Sequence, residues 1–215
     1  MAFFQNSVLN KYLEYNDKLK VDKAFEKLKI YQAKADHIKS FREEQYQTDF
    51  LNDVFVDVFG FKSKYKTPED FNLVREEKNE SDSKKADGAI VNDGKIVGVI
   101  ELKGVDTKDL SKVADQAFGY KVNHQNCIYV ITSNFEKLRF YINDKVDFLE
   151  FNLFQIKRGE FEILWLCLAS ENLLSDLPLK LKQESVVNDE LITKKLYKDY
   201  SWPTNKDNRQ EFMAS

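Results

Sequence analysis

No stretch constrains this chain more than Ala86–Lys103, ADGAIVNDGKIVGVIELK. It reads as a β-hairpin. Val91 and Val97 flank Asn92-Asp93-Gly94, a three-residue loop whose final glycine takes a left-handed conformation. Residues two apart on a strand share a face. Glu101 and Lys103 therefore project together, behind Val99, while Ile96, Ile100 and Leu102 point into a core. On the partner strand Asp87, Ala89 and Val91 form one set. A strict two-residue Asp-Gly loop would set Asp87 opposite Ile100, on the wrong face. The three-residue loop sets it opposite Glu101.

Two carboxylates and an ammonium then meet on one patch of sheet. At ~4 Å and an effective dielectric of 20, like charges repel by roughly 4 kcal/mol. That is a large part of a net stability of ~5–15 kcal/mol. The pair survives if one carboxyl is protonated, if lysine compensates, or if a divalent cation binds. Carboxylate oxygens with a backbone carbonyl suit Mg²⁺.

Composition narrows the remainder. A chain of 215 residues buries a real core, and 42% apolar with 32% charged residues mark a soluble globular protein. The N-terminal MAFFQNSVLN lacks the basic and apolar regions of a signal peptide, and no apolar run reaches membrane-spanning length, so a cytoplasmic protein without membrane attachment is expected. Cys127 and Cys167 sit in apolar segments and read as buried thiols; neither they nor His37 and His124 have zinc-ligand spacing. A net charge of −3 does not advertise a nucleic-acid binder, so strong DNA affinity would have to come from elsewhere.

Along the chain, residues 7–40 predict amphipathic helices. Residues 40–59 predict the clearest helix, with Ser40 as cap, Glu43 as its capping-box partner, and Phe50, Leu51, Val54, Phe55 and Val58 as its buried stripe. Glu44 and Gln47 lie near the same side, and Gly60 ends the helix. A basic loop (Lys62, Lys64, Tyr65, Lys66), a strand over Phe71–Glu77 and a polar turn over Lys78–Lys85 lead into the hairpin. Thr107 reads as the cap of a helix burying Leu110, Val113, Ala114, Ala117 and Phe118, with Gln116 and Tyr120 stacked four apart. Strands follow at Asn126–Thr132 and Leu138–Ile142. Beyond 148, Phe151–Leu153 with Phe161–Leu174 suggests one helix, and Asp189–Trp202 another. The expectation is an α/β fold: a mixed sheet flanked by helices, with helical support over 1–40, a core over 41–153 and a helical extension or connector over 154–215.

Three features together resemble one superfamily. Asp87 followed by Glu101-Leu102-Lys103 is similar to the signature of PD-(D/E)xK nucleases, with Ala86 in place of the proline. Glu44, ahead of Gly60-Phe61, resembles the helix-borne glutamate of restriction subunits, with Glu43 the nearest substitute. Gln116-Ala-Phe-Gly-Tyr120 resembles the QxxxY motif of the RecB-like branch. ITSNFEKLRFYI and ITKKLYKDYS are similar to segments of the N-terminal nuclease region of type IIG restriction–modification enzymes, and the likeness covers roughly residues 40–200.

The resemblance implies a restriction-endonuclease-like α-βββ-α-β core and Mg²⁺-dependent hydrolysis of DNA, with Mn²⁺ able to substitute. Asp87, Glu101, the Leu102 carbonyl and Glu44 would hold metal or its water. Lys103 would orient the attacking water, while Gln116 and Tyr120 would position water and phosphate. It also implies methyltransferase and target-recognition domains, in the same chain or a partner subunit, and a monomer that pairs on DNA for a double-strand break. Two rivals remain: a RecB-like exonuclease or repair nuclease, and a catalytically silent binding module.

Overall fold

Among the described residues six strands form one sheet in the order β1-β2-β3-β4-β5-β6: Leu73–Lys78, Lys85–Asn92, Lys95–Leu102, Tyr129–Ser133, Lys137–Ile142 and Phe148–Asn152. All neighbours are antiparallel except β3 and β4, which run parallel and need the crossover helix α5 (Ser111–Lys121) between them. The computed structural model describes residues 3–78 and 85–200, with side chains left aside at 76–78 and 198–200. Of the expected polar turn over Lys78–Lys85, Lys78 ends β1 and Lys85 begins β2; residues 79–84 and the tail beyond 200 lie outside the described residues.

The hairpin departs from the expected one in its turn and in its register. Its loop has two residues, not three: Asn92 pairs with Lys95 around Asp93 and Gly94, whose φ values are +48° and +74°. Positive φ at both central positions is the turn that matches strand twist. Ile90 then pairs with Gly98 although Val91 pairs with Ile96, so Val97 is the extra residue of a β-bulge. The bulge supplies the offset assigned above to the loop. Gly88 faces Ile100, the last pair of the β2–β3 ladder, and Asp87 and Glu101 are the next residue along each strand. The bulge also moves Ile96 to the side opposite Ile100 and Leu102, where it packs beneath α5 with Val99 and Val130. The prediction that Ile96 shares their core face is corrected accordingly.

One face of the sheet carries Ile90, Ile100, Leu102, Ile131 and Phe140. It is covered by α2 (Lys18–Ala33), α4 (Glu43–Phe50), the π-helical run Leu51–Val58 that continues α4, and α6 (Arg158–Leu168). Residues as far apart as Phe4, Leu28, Phe161 and Leu181 share this core, so the N- and C-terminal helices close over the same apolar layer. The smaller opposite face is covered by Ala114, Ala117 and Tyr120 of α5.

Several boundaries differ from expectation. Residues 7–40 divide into α1 (Asn6–Glu14), α2 and the short α3 (Ala35–Ile38). Ser40 does not cap α4; its hydroxyl donates to His37 O, and the helix begins at Glu43 with Gln45 Oε1 accepting from Arg42 N. Gly60 ends the run at φ +78°. Helix α5 starts at Ser111, with Asp109 Oδ1 rather than Thr107 receiving its first N–H. Phe148–Asn152, expected within a helical region, is the sixth strand; it pairs with β5, which hides its strand character behind a cross-strand partner rather than alternation. The expected helix 161–174 breaks at Ala169, ψ 131°, into α6 and α7 (Ser170–Leu174), and α8 starts at Leu177 rather than 189. Cys127 and Cys167 are buried free thiols; burial pushes the Cys127 thiol up to about 12. No described helix is long and apolar enough to cross a membrane.

Candidate active site

The carboxyl end of β3 leaves the hairpin beside the start of α4. Asp87 Oδ2 accepts from the backbone N–H of Leu102 at 2.7 Å, which ties the β2 carboxylate to the β3 strand end. Glu101 precedes Leu102 on β3, and its side chain is only 2% exposed. Lys103 Nζ donates to Glu101 Oε1 at 2.9 Å, to Leu102 O at 3.0 Å and to Glu43 Oε1 at 3.3 Å. Gln47 Nε2 bridges Glu43 Oε1 and Asp87 Oδ1, each at 3.3 Å.

The helix carboxylate at this cluster is Glu43. Glu44 is exposed and turned elsewhere. Glu43 Oε2 accepts from Gly104 N at 3.3 Å, a close approach for which glycine is suited: a Cβ there would lie 2.6 Å from Asp106 Oδ1 and 3.6 Å from Glu43 N. The sequence carried a signal for this. Glu43, Gln47, Phe50 and Val54 fall at i, i+4, i+7 and i+11, so Glu43 continues the buried stripe towards the sheet. Glu44 lies one residue, about 100°, further round the helix.

From the other face of the sheet, α5 brings Gln116 and Tyr120. Gln116 Nε2 donates to Tyr120 OH at 2.9 Å. Burial raises the Tyr120 phenol, the Gln116 hydrogen bond opposes this, and the charges of Glu101 and Asp87 raise it again. Those charges place Tyr120 within electrostatic reach of the cluster. Hydrogen bonds join Asp87 to Leu102 and Lys103 to Glu101 and Leu102; Gln116 and Tyr120 bond to each other, and exposed Glu44 makes none of these contacts.

Among the described residues, the carboxylates of Asp87, Glu101 and Glu43 gather near the Lys103 ammonium. Burial, then the charge of Asp87, pushes the Glu101 carboxyl up to about 7, although the Lys103 hydrogen bond and charge pull it down. Burial alone would lower Lys103, but its hydrogen bond to Glu101 and the charges of Glu101, Glu43 and Asp87 hold it above the ordinary lysine range. Glu101 Oε2 is buried without a hydrogen-bond partner. A buried polar atom left unpaired costs ~1–3 kcal/mol, more when charged.

An all-oxygen donor set and an unpartnered Glu101 carboxylate oxygen fit a hard divalent cation. The carboxylates do not converge on one point: Asp87 Oδ2 is held by Leu102 N and Glu43 Oε2 by Gly104 N. Among the described residues no three His, Cys, Asp or Glu side chains stand together as a ready metal cage. No protein-family model, curated protein or solved structure matches this chain.

Proposed function

We propose that this chain is a Mg²⁺-dependent DNA endonuclease domain with a restriction-endonuclease-like core, working with methyltransferase and target-recognition domains of the type IIG kind. The supporting observation is the end of β3: Asp87, Glu101 and Lys103 share one patch with Glu43, and Glu101 Oε2 is buried without a partner. The order helix, three antiparallel strands, helix, parallel strand supports the core assignment.

Asp87, Glu101 and the Leu102 carbonyl would hold the cation, which would supply Lewis-acid polarisation of the phosphoryl oxygen and a more acidic water. Lys103, held by Glu101 and Glu43, orients the attacking water and offsets charge on the phosphorane-like oxygens. Glu43 orients that ammonium and, through Gln47, Asp87. Gln116 fixes the Tyr120 hydroxyl, a donor for the non-bridging phosphate oxygens.

Supercoiled plasmid with Mg²⁺ or Mn²⁺ is the test. Nicked or linear product that vanishes with Asp87→Ala is expected. Digestion of linear DNA alone would indicate an exonuclease, and no digestion of either form a silent module. The helix carboxylate gives a sharper contrast: Glu43→Ala should lower the rate by about 10- to 100-fold, as loss of an orienting partner does. Glu44→Ala should leave it within about twofold. Single-turnover rates on the same plasmid check both.

A further inference from the structure

Beside the carboxylate cluster lies a polar cavity of about 240 Å³, lined by Gln47, Thr48, Leu51, Tyr65, Arg75 and Asp87. It shares Gln47 and Asp87 with the site above. Arg75 projects from β1 into it; its Nη1 donates to Thr48 Oγ1 at 2.9 Å. Its guanidinium lies 4.2 Å from the centre of the Tyr65 ring.

Tyr65 is 68% exposed, yet the turn that carries it is firmly attached. Lys62 N donates to Asn72 Oδ1 at 2.7 Å, Lys64 N to Leu73 O at 2.9 Å and Thr67 N to Ser63 O at 2.9 Å. Ser63 is buried and bridges to Leu73 at the start of β1. An aromatic ring is thus held in solvent, one face against a cation and much of the remainder open.

We propose that this cavity is a nucleotide subsite for the strand being cut: Arg75 and Thr48 take a phosphate next to the scissile one, and the open face of Tyr65 stacks its base. The inference rests on the nuclease reading for its strand and extends it to residues that reading does not use. The guanidinium suits phosphate because it presents several N–H donors in one plane, and Thr48 consumes one of them. A phosphate beside Asp87 needs a fixed positive charge, and Arg75 supplies it. Aromatic rings accept any unpaired base, so the contact carries affinity without sequence choice. The chain's net charge of −3 makes such a local positive contact necessary for a polyanionic substrate.

The test compares wild type with Arg75→Ala, Arg75→Lys and Tyr65→Ala. Binding of a short fluorescent single strand is read by anisotropy across a salt series and, where cleavage occurs, as KM. Arg75→Ala should weaken binding about tenfold and reduce the log–log salt slope by about one phosphate. Tyr65→Ala should weaken it by a similar factor with the slope unchanged. Arg75→Lys should keep the slope but not the full affinity. If wild type cuts DNA and neither alanine variant changes Kd or KM, even with a lowered Tm, the subsite is overturned and the nuclease reading stands. If wild type cuts nothing but binds in an Arg75-dependent way, the subsite stands as a binding surface and the nuclease reading falls. If it neither cuts nor binds, both fall.

Discussion

Lys103→Ala should reduce plasmid cleavage by at least about 10²–10³-fold, the usual cost of removing one preorganised charge from a transition state. The neighbourhood argues for the upper end. Lys103 is the ammonium that touches Glu101 Oε1, Leu102 O and Glu43 Oε1 together. Its hydrogen bond and charge are what hold the Glu101 carboxyl down against burial and Asp87. Without them Glu101 stays protonated to higher pH, so under the proposed mechanism the variant would lose both the water-orienting cation and an ionised metal ligand. The fold should persist, because Glu101 can take up a proton instead of remaining a bare buried charge. Single-turnover cleavage with circular dichroism of the same samples separates lost chemistry from lost structure.

Glu101→Gln should make the metal-free protein more stable while abolishing cleavage. Folding raises this carboxyl from 4.5 to about 7, chiefly through burial and then through Asp87. The folded state therefore binds the proton more tightly than the unfolded chain. The stabilisation this gives is fully present below about pH 4.5 and is lost as pH rises through about 7. At about 1.36 kcal/mol per pKa unit, the loss is on the order of 3 kcal/mol for a side chain this buried. Glutamine carries no charge to lose. Its stability advantage over wild type should be largest near about pH 8, at ~1–3 kcal/mol, and fade towards acid. Denaturant melts of both proteins across pH check the sign, and a wild type that gains stability between about pH 5 and 8 relative to the variant would contradict it.

The same residues show which parts of the fold could be read in advance. Burial of Phe50, Leu51, Val54, Phe55 and Val58 follows from their spacing, because an amphipathic stripe must meet a core wherever it packs. That Asp87 lies beside the end of β3 was also legible, but the bulge was not. A bulge at Val97 leaves no local mark, since any strand residue can be the extra one; only the pairing of Val91 with Ile96 reveals it. Glu43 was displaced from view by a capping role that depended on Ser40, and Ser40 instead bonds to the preceding turn. Strand β6 was missed because FLEFN acquires its conformation from its partner β5, a contact between segments. Arg75 was silent for a similar reason: Thr48 and Tyr65 reach it from a helix and a loop that are distant in sequence.

The claim on which the remainder depends is that Asp87 and Glu101 jointly hold a hard divalent cation at the end of β3. Isothermal titration of Mg²⁺ and of Mn²⁺ into wild type and Asp87→Ala tests it without reference to any DNA target. The account predicts a saturable heat for wild type and its loss in the variant. Equal, null heats for the two proteins would contradict it.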